Sequence, residues 1–349
     1  MRLVYDRQED IICTPKRHPS RIRHRTAVDS DGRLTAMDIE IVQDGGAYTT
    51  HSPVVLSRAV LHAAGPYRCP NVRVRGRVLR TNTATNGAFR GFGAPQAQFA
   101  TERQMDRIAR QLGLDPLEIR LRNVLEIGDS LPTGQVLDES TAGRICLETA
   151  ARETGFRERW QELEQARGQA DDGEATRGLG ISLYFHGAGF TGNGERTLES
   201  KVRGRLLQDG RIEVLTAAVE MGQGCDVLFP MLACDATGLE VDDVVIAQPD
   251  TAEVPDSGPS VASRTSMIVG SEVAQVVKDI CDRVVGWWLE QEGWSGIPQI
   301  EDSVVRAGDD ERSFREVAQE YARREGGLEI SRQHEPPGWQ VFDDQTYQG

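Results

Sequence analysis

The stretch Gly87–Gln96, GAFRGFGAPQ, decides how this chain is read. Three glycines, two phenylalanines and one arginine crowd into ten residues that close on a proline and a glutamine. Glycine permits unusual backbone dihedrals and the close approach of another body, so such a loop suits wrapping a ligand with its amides. Arg90 then supplies a planar fork for an anion or a polar ring. Beyond Pro95, the residues Met105, Ile108, Ala109 and Leu112 recur at helical spacing, and Gly113 marks the stop. Asp115, Pro116 and Glu118 supply an N-cap, an N1 proline and a capping-box acid for a second helix, LDPLEIRLRNVL. Ahead of the loop, IIC, RIRHRTAV and RLTAMDIEIVQ read as short strands, with Asp29-Ser30-Asp31-Gly32 turning the chain between the last two.

The charged run ARETGFRERWQELEQARGQADDGEAT, residues 151–176, reads as a solvated helix leading into a linker. It sets the expected organisation: a first lobe over 1–155, a charged helix and linker over 156–176, and a second lobe over 177–349. In the second lobe GLGISLYF reads as a strand. Lys201 to Thr216 reads as a hairpin, with Val202, Gly204 and Leu206 on one face and the turn at Asp209-Gly210. Strands and helices then alternate, so the expected fold class is α/β of the α+β kind, with mixed sheets in two lobes and a ligand between them.

A chain of 349 residues is long enough to bury a large cofactor. Its 40 basic and 54 acidic residues give a net charge of −14, which repels nucleic-acid backbones and anionic lipid in general. The six cysteines stand singly, without the tight runs that hold iron–sulfur clusters, and read as reduced, mostly packed thiols. The opening MRLVYDRQEDIIC lacks the order of a signal peptide, and no window approaches the roughly 20 apolar residues of a membrane span. A cytoplasmic protein with neither nucleic-acid nor membrane partners is expected. The six histidines are dispersed without zinc-site spacing and read as surface or internally satisfied side chains. Dinucleotide, Walker and nucleophile-elbow patterns are missing as well, so nicotinamide, ATP and hydrolase-triad readings have no anchor.

Two further glycine-bearing loops stand between a predicted strand and a predicted helix: EMGQG, Glu220–Gly224, and DSGPSVASRTSMIVG, Asp256–Gly270. Amides at such helix starts favour a negative group, so both are candidate anion seats. Gln223 adds an amide suited to the edge of a heterocycle, and Ser263, Thr265 and Ser266 add hydroxyl donors.

In chain order, the segments YDRQEDIICTPKRHP, DGGAY, LSRAVLHAAGPYRCPNVRV, TNTATNGAFRGFGAPQ, DPLEIRLRNVL, EMGQG and VPDSGPSVASRT give a sequence that resembles the molybdenum-cofactor-binding subunit of the xanthine dehydrogenase family of molybdenum hydroxylases. The resemblance implies a molybdenum–molybdopterin cofactor, of which the cytosine dinucleotide is one form, with 2Fe-2S clusters and FAD on partner subunits. It implies hydroxylation of a carbon next to nitrogen, or of an aldehyde. Phe89, Arg90 and Gly91 would line the cofactor in the first loop, Gly222 and Gln223 in the second, and Ala262 and Ser263 in the third. Arg58 would polarise the substrate and Phe92 would pack on its ring. No side chain would bind the metal directly.

The sequence also departs from the family pattern. The glutamate of the G-x-x-G-x-G-E type that serves the family as general base has no counterpart before Gly349, and the upstream G-G-G-F-G loop has none either. The expectation is a central portion, incomplete at both ends, with no catalytic residue of its own and the remaining part of the molybdopterin-binding protein on another chain. Leu183 stands where purine-oxidising relatives carry a second stacking phenylalanine, and Tyr184 follows it as a candidate substrate contact. The alternatives are a non-catalytic truncated remnant that binds at most cofactor or partners, and a plain α/β binding module that leaves the ordered motifs unexplained.

Overall fold

In the computed structural model the described residues are 3–166, 177–190, 192–294, 299–308, 310–338, 341–343 and 345–348. They form two compact units, residues 1–186 with 342–349 and residues 187–341. The linker half of the expected boundary, 167–176, lies outside the described residues.

The first unit opens with α1 (Arg7–Cys13), where a strand was expected over IIC. Asp6 and Glu9 close a reciprocal capping box there, and that local pair outweighs the strand preference of two isoleucines. β1 (Ser20–Val28) pairs antiparallel with β2 (Leu34–Gly46), across the turn expected at Asp29–Gly32. α2 (Ser52–Leu61) crosses over to β3 (Val72–Arg80), which runs parallel to β2. Alternation buries Met37, Ile39 and Ile41 on one face. α3 (Ala94–Leu112) lays Ala97, Met105, Ile108 and Ala109 into the same core, then stops at Gly113 with φ +68. α4 (Pro116–Asn123) starts at Asp115, whose carboxylate accepts the Glu118 amide. The capping box expected there is only half made, because Glu118 turns to Arg122, one turn on, at 2.8 Å. α5 (Gly143–Thr154) and α6 (Phe156–Ala166) are separated by left-handed Gly155.

GLGISLYF is not a strand. Its backbone is held by α3 side chains instead: Glu102 accepts the Leu183 amide at 2.9 Å, and the Gln98 amide donates to the Phe185 carbonyl. Buried backbone groups need partners, and here side chains supply them.

The second unit begins with the short α7 (Gly194–Thr197) and the expected hairpin of β4 (Lys201–Leu206) and β5 (Ile212–Leu215). α8 (Cys225–Thr237) leads to β6 (Val244–Ile246), parallel to β5. A π-helical turn, Thr265–Val269, opens α9 (Gly270–Gln291). The meander β7 (Ile300–Glu301), β8 (Val304–Ala307) and β9 (Asp310–Ser313) precedes α10 (Phe314–Glu325) and β10 (Glu329–Gln333), and β10 completes a sheet of order β10-β4-β5-β6. Val273, Val276, Val277, Ile280, Val284 and Val285 of α9 pack in the core of this unit, each side chain contributing about 1.5–3 kcal/mol. Gly204 of β4 makes room for α9: a Cβ there would lie 2.7 Å from Ile280 Cδ1. Both units mix parallel and antiparallel pairing, as the expected fold class requires.

Candidate functional site

In the first unit, GAFRGFGAPQ folds as a tight turn feeding α3. The Phe92 amide donates to the Phe89 carbonyl at 2.7 Å, and Gly91 and Phe92 take φ of +84 and +53. Gly93 is fixed by proximity, since a Cβ there would sit 2.2 Å from the Val55 carbonyl of α2. The loop therefore packs against the helix that carries Arg58. Its shape is held by Arg17, which lies in the segment YDRQEDIICTPKRHP but has no role there that the sequence alone shows. The Arg17 guanidinium donates to the carbonyls of Phe92 (2.9 Å) and Arg90 (2.6 Å) and to Gln96 Oε1 (3.0 Å), and lies over the Phe89 ring at 4.8 Å. Burial lowers its proton affinity. Phe89 and Arg90 are exposed, and Phe92 is buried. The Arg90 guanidinium has no hydrogen-bond or ion-pair partner among the described residues.

Arg58 is buried on α2, and its carbonyl accepts the amide and Nδ1 of His62. The His62 ring stacks on Phe185 at 5.0 Å and stands 5.6 Å from His186. Burial, then the Arg58 charge, pushes His62 down to about 4, and the same two causes lower His186. Both rings are neutral near pH 7, and Arg58 is the charged member of the cluster. Arg58 and the Tyr184 segment are thus joined through His62, a link made only by folding.

Tyr184 itself is 70% exposed at the edge of a cavity of about 630 Å³. Val124, Leu125, Leu137, Cys146, Leu147 and Leu183 form much of its lining, which includes neither Arg58 nor the glycine loop. The segment is anchored from below by Glu102, whose carboxylate also accepts from buried Arg120 (2.8 Å) and Tyr67. Burial and the Glu102 charge hold the Tyr67 hydroxyl well above its usual range.

The other two loops lie together in the second unit. The Val219 amide donates to Ser260 Oγ at 3.0 Å and the Ala217 amide to Ser257 Oγ at 2.9 Å, which ties the approach to EMGQG against DSGPSVASRT. The anion seat expected at EMGQG is already filled by the chain itself. Glu220 accepts the amides of Gly222, Gly224 (3.1 Å) and Cys225, and these bonds hold its carboxyl below the usual range. An acid within reach of a helix start satisfies the free amides before any ligand can. Gln223, though exposed, is also engaged within its own loop: it donates to the Val219 carbonyl (2.6 Å) and to Cys225 Sγ, and accepts from the Met221 amide. Gly222 and Gly224 remain open, and a Cβ on either would meet nothing within 4 Å.

At the third loop, Ala262 and Ser263 adopt positive φ of +54 and +58 in succession. Such a conformation costs a residue with a side chain about 1–2 kcal/mol and persists only where its surroundings impose it. Ser263 is exposed, and its hydroxyl has no partner among the described residues. Two consecutive strained amides beside an exposed hydroxyl form a donor set that fits a large polar heterocycle, whereas the Gly222 and Gly224 amides are given to Glu220. Among the described residues no group of three or more His, Cys, Asp or Glu is placed to hold a metal ion, and no helix is long and apolar enough to cross a membrane.

Two family models, both described as molybdopterin cofactor-binding domain, match residues 1–124 and 150–349. The chain is 35% identical over 282 residues, 78% of its length, to a probable xanthine dehydrogenase subunit of Bacillus subtilis (strain 168), and covers 35% of that protein. Over 150 residues, 43% of the chain, it is 43% identical to the nicotinate dehydrogenase large molybdopterin subunit of Eubacterium barkeri, again covering 35% of it. The crystal structure of quinoline 2-oxidoreductase from Pseudomonas putida 86 superimposes with a TM-score of 0.81 at 27% identity, over 95% of this chain and 45% of that one. The chain thus spans about a third of these two curated relatives and about a fifth of longer ones. With both domain models in sequence along it, the chain belongs to the molybdopterin-binding proteins of the xanthine dehydrogenase family.

Proposed function

We propose that this chain forms part of the molybdopterin-binding subunit of a cytoplasmic hydroxylase that oxidises an N-heterocycle, with an aldehyde as the alternative substrate class. One observation carries the reading. Of the six non-glycine residues with positive φ among those described, three are Phe92, Ala262 and Ser263, all selected from sequence as site residues. Strain gathered at those positions is the mark of backbone held for a ligand.

In this reading Phe89, Arg90, Gly91, Gly222, Gln223, Ala262 and Ser263 hold the cofactor, as molybdopterin or its cytosine dinucleotide, with the metal carried by the pterin. When bound, the cofactor supplies the oxidation and hydroxylation chemistry. Exposed Arg90 offers its guanidinium to the cofactor, and the strained turn presents amides and the Ser263 hydroxyl. Arg58, the charged member of the cluster with His62 and His186, stabilises negative charge developing on the substrate; Phe92 and Tyr184 contact its ring. Leu183 in place of a phenylalanine disfavours a stacked purine. The likeness to a nicotinate dehydrogenase subunit supports a smaller heterocycle. Electrons leave through 2Fe-2S and FAD subunits.

The second reading is a protein that binds partners without turnover, and the Glu220 carboxylate seated in the EMGQG amides favours it. Metal and pterin analysis of the assembled complex separates the two. The proposal expects molybdopterin in the wild type and its loss in Arg90→Ala, with the complex still assembled. Full molybdenum in that variant removes Arg90 from the site, and no pterin in the wild type supports the second reading.

A further inference from the structure

We propose that Arg264 is the positioning residue that imposes the left-handed Ala262–Ser263 turn, and that Glu195 helps to seat it. The inference deepens the cofactor-binding reading above and rests on it for the identity of the ligand, but the turn itself can be measured without one.

Arg264 is fully buried immediately after the strained pair. A guanidinium has five N–H donors, and all five are used. Nη1 donates to the carbonyls of Ser257 (2.7 Å) and Pro259 (3.3 Å), Nη2 to the Glu199 carbonyl (3.2 Å) and the Ser200 hydroxyl, and Nε to Glu195 Oε2 (3.3 Å). Four of the five partners are neutral oxygens, so the side chain works as a clamp on backbone more than as half of an ion pair. It gathers residues 199–200 and 257–259 around the base of the turn. Gly258 is shaped to admit it: φ is +71, and a Cβ there would lie 2.7 Å from Arg264 Nη1 and 2.4 Å from the Glu199 carbonyl. The turn is pinned on its other side by the Gly189 amide, which donates to the Ala262 carbonyl at 2.7 Å, while Glu195 Oε1 accepts the Phe190 amide at 2.8 Å. Glu195 therefore links the clamp to the segment that pins the turn. Past the clamp the chain enters a π-helical turn, the wider winding that recurs at functional sites.

A lysine cannot replace this fork, having three donors on one point charge. Glycine, by contrast, adopts positive φ unaided. These two facts give a test that an ordinary buried ion pair would fail. Hydrogen exchange across residues 257–268 of the chain without cofactor, and molybdenum and pterin content of the assembled complex, are measured for wild type, Arg264→Lys, Glu195→Gln, and Arg264→Lys carrying Ala262→Gly and Ser263→Gly. The expected result is that Arg264→Lys raises exchange in this segment about tenfold and lowers cofactor content roughly tenfold or more. The two glycines should restore most of the cofactor, and Glu195→Gln should act in the same direction but more weakly. Wild-type exchange and cofactor content in Arg264→Lys overturn the proposal, as does a folded glycine variant that recovers neither. If Arg264→Lys does not fold, recovery of folding by the two glycines supports the clamp and continued unfolding overturns it. A wild-type complex without pterin defeats the cofactor reading alone, since the exchange measurement still judges Arg264.

Discussion

GAFRGFGAPQ and EMGQG look alike in sequence, two glycine-rich loops at helix starts, yet they are held in opposite ways. Arg17, 73 to 79 residues away, grips the first through two carbonyls and Gln96, and Arg90 remains available at its tip. The second grips itself: Glu220 takes its amides, and Gln223 takes a carbonyl, a thiol and an amide within a few residues. A loop held from a distance can offer its own side chains to a ligand, whereas a loop closed on itself offers mainly its shape. The units that carry them differ in charge as well. Residues 1–186 and 342–349 hold 26 basic and 26 acidic side chains, while 187–341 hold 14 and 28, so the net charge of −14 belongs to the second unit.

Acid should separate the units, and this is the largest expected effect. Burial pushes His24 and His62 of the first unit down to about 4, from an ordinary 6.5. The folded unit keeps them neutral while the unfolded chain takes up protons below 6.5, so stability is complete above that value and falls as the pH drops toward 4. At pH 4.5 the loss comes to about 2–3 kcal/mol per histidine. The second unit contains one histidine, His334, and its self-repulsion eases as carboxylates gain protons. Hydrogen exchange followed peptide by peptide at pH 7 and pH 4.5 should show the first unit opening ahead of the second. The reverse order would break the comparison.

A smaller effect is expected from Arg17→Ala, which removes three hydrogen bonds and a cation–π contact at a half-buried place. The cost should be about 1–2 kcal/mol in urea unfolding. Exchange should rise over residues 87–96, with residues 220–225 unchanged. A rise at both loops would mean that the first is not held independently.

Regular elements were legible where the signal is local. The β1–β2 hairpin follows from branched alternation around Asp29–Gly32, and the start of α4 from Asp115-Pro116. The strand expected at GLGISLYF failed because Gln98 and Glu102, more than 80 residues earlier, satisfy its backbone. Arg17, His62, Arg120 and Arg264 all lie within the segments that carry the family resemblance, yet their roles were not legible for the same reason: each matters through partners brought near only by folding. Glu220 is different. An acid two residues ahead of a Gly-x-Gly helix start is a capping signal of the same kind as Asp115 before α4, and it is legible in the sequence. The strain at Phe92, Ala262 and Ser263 had no signal in composition, since each is an ordinary residue until its φ is known.

Glu220→Gln should have the smallest effect and bears most directly on how the second loop is held. The glutamine keeps the shape but loses the charge that the amides of Gly222, Gly224 and Cys225 face. The carboxyl lies below its ordinary 4.5 in the folded chain, so its contribution is complete above that value and disappears as the pH falls through the lower, folded value. The amide resonance of Gly224 should therefore titrate below pH 4.5 in the wild type and stay flat in Glu220→Gln, with unfolding of the unit nearly unchanged because the site is exposed to solvent. Added inorganic phosphate sharpens the result. If the carboxylate is what closes the loop, phosphate should shift Gly222 and Gly224 in the variant and leave the wild type untouched. Equal shifts in both would show that the amides were accessible all along, and that the two glycine loops differ less than their hydrogen bonds indicate.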